Sequence, residues 1–118
     1  MINVPISVGE LIDKITILEI KMLHIKSDNV GFELTKLLEI SKNFECEELK
    51  SQLREVNQVL WNTEDSIREC ERLNDFGENF IILARRVYYK NDERARIKRV
   101  INEKFNSEII EEKSYSAY

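Results

Sequence analysis

Cys46 to Asn74 reads CEELKSQLREVNQVLWNTEDSIRECERLN. Leu49, Leu53, Val56, Leu60, Thr63, Ile67 and Cys70 recur in it at steps of four and three, the heptad spacing that holds one face of a helix against a partner. At 1.5 Å per residue the run spans about 43 Å. So long a helix in so short a chain predicts an antiparallel partner of matching length. Downstream, Asp75, Gly77 and Asn79 read as a turn, and Phe80, Leu83, Ala84, Val87 and Tyr88 make the next apolar stripe. Beyond Lys90 that stripe is lost, and Ile97, Ile101 and Phe105 stand out of phase with it. A break at Asn91 and Asp92, either of which can cap a helix, predicts two helices end to end over 79–90 and 93–105.

Upstream, Ser7 with Glu10 forms a capping box behind Pro5 and predicts a first helix over 8–27. Val8, Leu11, Ile15, Leu18, Met22 and Ile25 form its core stripe, widened by Ile12 and Leu23. Ile17 and Ile20 fall on the other side beside Asp13 and His24, a second apolar strip for another helix or a second subunit to cover. Asp28 and Asn29 can cap a helix over 30–43, with Val30, Leu34, Leu37, Ser41 and Phe44 inward and Gly31 weakening its start. Residues 106–118, with Tyr115 and Tyr118, form a tail that docks or frays. The expected architecture is all-α, one domain of residues 1–118: an antiparallel bundle of four to five helices with one long heptad-patterned member.

Composition agrees. A chain of 118 residues with 42% hydrophobic and 34% charged residues has room for one core, and three glycines with one proline are too few for the turns of an all-β fold. The net charge of -4 makes nucleic acid an unsuitable partner. No apolar run is long enough for a membrane span, and the early charges Glu10, Asp13 and Lys14 rule out a secretory signal, so a cytoplasmic address is expected. Charge is unevenly spread: Glu33 to Glu78 carries 12 acids and 6 bases, Arg85 to Arg99 carries 7 bases against Asp92 and Glu93. The plainer reading is neighbouring helices with complementary charge. Cys46 and Cys70 form no CxxC pair, and a buried free thiol is expected for Cys70.

Catalytic patterns are not met. A helical nucleotide pyrophosphohydrolase needs glutamates at i, i+1 and i+4, but Glu47 and Glu48 are followed by Leu49, Lys50, Ser51 and Gln52, so the third glutamate is missing. One histidine cannot supply the two Glu-x-x-His pairs of a di-iron bundle. No metal and no cofactor is expected. Three polar groupings stand out instead. Asn57, Trp61, Glu64 and Arg68, with Asp65 adjacent, share one face of the long helix and could line a pocket, although Glu64–Arg68 is also an ordinary ion pair at i, i+4. Glu19, at the edge of the first core stripe, needs a cationic partner such as Arg85, Arg94 or Lys98. Arg94 and Lys98, one turn apart beyond Asn91 and Asp92, could hold a phosphate at a helix start, or form a solvated basic face.

The runs SVGELIDKITILEIK (Ser7–Lys21), NQVLWNTEDSIR (Asn57–Arg68), NDERARIK (Asn91–Lys98) and EEKSY (Glu111–Tyr115) resemble a family of small uncharacterised helical proteins encoded by bacteria and tailed phages. The resemblance spans nearly the whole chain. It implies the helical fold, brings no activity, and raises the weight of one shared polar site joining Asp13, Lys14, Glu19, Asn57, Trp61, Glu64, Asp65, Arg68, Arg94 and Lys98. The expected function is a non-catalytic helical interaction module acting as a homodimer through helix 1 (Ile17, Ile20) or helix 3, with room for a protein partner. The alternative is a small-molecule or phosphoryl-group site, enzymatic or not, built on Glu64, Asp65 and Arg68 beside Trp61, with Arg94 and Lys98 as anion anchors.

Overall fold

A computed structural model describes residues 1–118. Four helices account for the regular structure: α1 (Val8–His24), α2 (Asp28–Ser41), α3 (Glu47–Arg72) and α4 (Glu78–Lys104). Ser7 caps α1 as expected, its Oγ accepting from the Glu10 amide at 3.0 Å. The Glu10 side chain does not turn back to close the box and instead reaches Lys98 on α4. At α2 the cap is Ser27, whose Oγ accepts from the Asn29 amide, so the helix begins two residues before the expected start and ends at Ser41.

α3 and α4 form an antiparallel hairpin, with Cys70 near Asn79 at the turn and Phe44 edge-on to Phe105 at the other end. Both helices finish in the same way. Asn74 takes φ 54° and Asn106 φ 49°, and the following amides of Asp75 and Ser107 reach back to the carbonyls of Cys70 and Asn102 at 2.8 Å. This is the left-handed C-terminal cap that asparagine accepts at little strain.

The expected break at Asn91 and Asp92 is absent, and α4 runs through both. Their side chains serve other partners: Asn91 Oδ1 accepts from Arg94, and Asp92 takes Lys113. The stripe does not change phase. Leu83, Val87, Lys90, Arg94, Ile97, Ile101 and Phe105 lie on one face, and two charged residues occupy inward positions that an apolar reading leaves blank.

α1 is the central helix. It touches all three others, α2 touches α1 alone, and α3 packs on α4. The face of α1 carrying Asp13, Ile20 and His24 therefore meets the hairpin, and Ile20 is 1% exposed within the single chain. Of the two covers expected for this second apolar strip, it is helices of the same chain that bury Ile20, and Ile17 is half-buried. The stripe through Leu11, Ile15, Leu18 and Met22 turns toward α2, where Met22 Sδ lies 3.9 Å from the Cβ position of Gly31. Ile12, Cys46, Leu53, Val56, Ile97 and Ile101 form the main core cluster between α1 and the hairpin.

Close approach of α1 to α4 requires Gly9, since a Cβ there would stand 2.5 Å from the Lys98 carbonyl oxygen. The two cysteines are free and buried at opposite ends of α3, about 36 Å apart along its axis. No helix is long and apolar enough to cross a membrane.

Candidate functional site

The blank in the α4 stripe marks the site. Asp13, on the hairpin-facing side of α1, is fully buried, and its carboxylate is ligated from both sides. Arg94 donates from Nε to Oδ1 at 2.9 Å and from Nη2 to Oδ2 at 2.5 Å, while Asn57 Nδ2 donates to Oδ1 at 2.9 Å. The second Asn57 Nδ2 proton goes to Thr16 Oγ1, which itself donates to the Asp13 carbonyl. Four residues from three helices thus satisfy one another in a buried network, the condition under which such groups are tolerated inside a fold. The bond to Asp13 is the main reason the Arg94 pKa is raised further, with burial opposing it.

The chemistry follows from donor counting. Asp13 has both oxygens engaged and is shut off from solvent by its burial. Arg94 has five N–H groups and uses three, one of them in a long 3.4 Å bond to Asn91, so two remain on a guanidinium held in a fixed orientation. That arrangement suits anion recognition and supplies no nucleophile.

Around this pair the charges close in a second layer. Lys98 Nζ binds Glu10 at 2.6 Å and Glu111 at 3.4 Å, and Ser7 Oγ donates to the same Glu111 oxygen. Asn102 Oδ1 accepts from the Gly9 amide at 2.6 Å. Lys14 is exposed and only 4.0 Å from Glu10.

The remaining candidates separate. Glu19 pairs with Lys50 at 3.5 Å and Arg54 at 3.8 Å on α3, not with Arg85, Arg94 or Lys98, because its edge of α1 faces α3. Its buried Oε1 has no hydrogen bond. Trp61 stacks on His24 with centroids 5.0 Å apart. Glu64 and Arg68 pair with each other at 3.1 Å with side chains 55% and 76% exposed, and Asp65 is exposed beside them. Of the long-helix face only Asn57 turns inward. Arg94 and Lys98 do not flank a helix start, so the free backbone N–H groups expected there do not exist.

Thr16, Asn102 and Glu111 belong to the network without having been candidates in the sequence, and Ser7 stood there only as a helix cap. Their signals, a threonine on a polar strip and acids in a tail, occur on ordinary surfaces too.

Among known families, one described as a family of unknown function (DUF6165) matches residues 2–118. No curated protein and no solved structure matches the chain.

Proposed function

Because the chain belongs to this family of unknown function over nearly its whole length, we propose its role from geometry: a non-catalytic helical interaction module that pairs with a second copy of itself through α2. The observation that carries this reading is that α2 has no buried residue and packs on α1 alone. A 14-residue helix with a glycine in its second turn gains too little by itself to be stable in water, because helical stability comes mostly from packing. Phe32 and Ile40 on its outer flanks are 61% and 53% exposed, and Met22, Leu23 and Ile25 at the end of α1 are exposed as well.

Area supports the same partner. The accessible surface is 8425 Å², against about 6,700 Å² for a folded monomer of 14.0 kDa. The excess is larger than the roughly 800 Å² per subunit of a standard interface. Helix packing is the mechanism, with no chemistry of the module's own.

Light scattering tests it. The wild type should have twice the 14.0 kDa chain mass, and a Phe32→Asp, Ile40→Asp variant should have the mass of one chain with its helical circular dichroism retained. Ile81→Asp, at the exposed hairpin end, should leave the dimer intact. A wild-type mass of one chain at every concentration would overturn the reading.

A further inference from the structure

After Asn106 the chain makes no further helix and runs back along α4. Ser107 Oγ accepts from the Val8 amide, Glu111 reaches Lys98, Glu112 pairs with Arg99 at 3.0 Å, Lys113 meets Asp92 at 2.8 Å, and Tyr118 bonds Asp92. The end of this strap packs edge-on against Tyr88 and Tyr89, with centroids 5.2 and 5.1 Å away. Between strap and helix lies a cleft of about 700 Å³, within the usual range for a small-molecule site.

The two ends of the cleft differ. Tyr88, Tyr115 and Tyr118 form one, and Arg94 and Lys98 line the other, roughly 15 Å from Tyr88 to Lys98 along the helix. Arg94 brings its two unused N–H groups, oriented from below by buried Asp13. The carboxylate facing Lys98 from the strap, Glu111, is half exposed and sits on a segment without regular backbone hydrogen bonding, so a stronger anion can displace it at small cost.

The geometry points to a binding site beneath the strap for a small molecule that joins an aromatic ring to a phosphate or carboxylate. The ring lies against Tyr88 and Tyr115, and the anion reaches Arg94 and takes the place of Glu111 at Lys98. A buried ion pair contributes little net stability, and holding Arg94 ready for an anion gives Asp13 a purpose that packing alone does not.

The test uses the full chain, followed by titration calorimetry and by the side-chain amide NMR signals of Asn91 and Asn102. Because the ring and anion ends lie roughly 15 Å apart along the helix, 4-phenylbutyl phosphate and 5-phenylpentanoate are the probes, with 4-phenylbutanol and inorganic phosphate as halves of the ligand. A fragment of this size in a fitted site binds with a Kd of about 1 mM or tighter. At least one aromatic anion should bind so and shift both amides, with each half about tenfold weaker or more. The tighter of the two anions identifies the head group as phosphate or carboxylate.

Arg94 is a poor position to vary because its loss strands Asp13. Glu111→Gln should tighten binding several-fold by removing the competitor, and Tyr88→Ala should weaken it about tenfold. The proposal is overturned if neither probe binds wild type or Glu111→Gln. It is also overturned if Tyr88→Ala binds as well as wild type, or if inorganic phosphate alone binds as well as 4-phenylbutyl phosphate.

Discussion

At the scale of single residues, the Asp13–Arg94 pair and the Glu64–Arg68 pair share the same carboxylate–guanidinium chemistry and differ in energy. Arg94→Ala leaves a buried carboxylate with one neutral donor and should cost about 3–5 kcal/mol in denaturant unfolding. Arg68→Ala removes a solvent-screened pair and should change stability by no more than about 0.5 kcal/mol. Equal losses in the two variants would contradict the burial of Asp13. Gly9→Ala is the corresponding backbone test. Its methyl meets a carbonyl that cannot swing aside, so α1 must move off α4, at a cost of about 1–3 kcal/mol and with loss of the Gly9 amide bond to Asn102.

At the scale of elements, the hairpin depends on how its helices stop. Asn74→Ala places a β-carbon in the left-handed region and should lower stability by about 1 kcal/mol, whereas Asn74→Gly should be neutral or stabilising. Thermal unfolding of the two variants decides it, and a stable Asn74→Ala would refute the cap. α4 shows why apolar periodicity misled here. Lys90 and Arg94 hold inward positions, so counting hydrophobic residues finds two helices where the backbone makes one. The gap itself was legible, and it was the trace of the site.

For the whole molecule, the strap responds to pH at both extremes. Lys113, and then Tyr118, hold the Asp92 carboxyl below its ordinary value of 3.8. That contribution to strap docking is present above about pH 4 and fades as pH falls through the lowered value. The hydrogen bond to Asp92 pushes Tyr118 from 10.0 up to about 12. Its contribution is complete below pH 10 and is lost as pH rises toward 12. Ultraviolet titration should therefore find one of the four tyrosines ionising near 12 in the wild type. Asp92→Asn should return it toward 10. Four tyrosines all titrating near 10 would mean that the strap does not dock.

The sequence by itself determined what is local. Helix count along α1 to α3, the Ser7 cap, the turn near residue 75, and the burial of Leu53, Val56, Thr63 and Cys70 on one face of α3 were all readable, because helical phase and capping depend on neighbours within one or two turns. Partner choice was not readable. That Asp13 meets Arg94 81 positions away, that Glu19 meets α3, that α2 packs on α1 alone, and that the tail returns along α4 depend on which faces meet once the helices assemble. A charged residue on an inward stripe looks the same in sequence whether it is buried with a partner or reaches out to water. Only the tertiary structure decides, because only there does the low-dielectric interior make an unpaired charge too costly to keep.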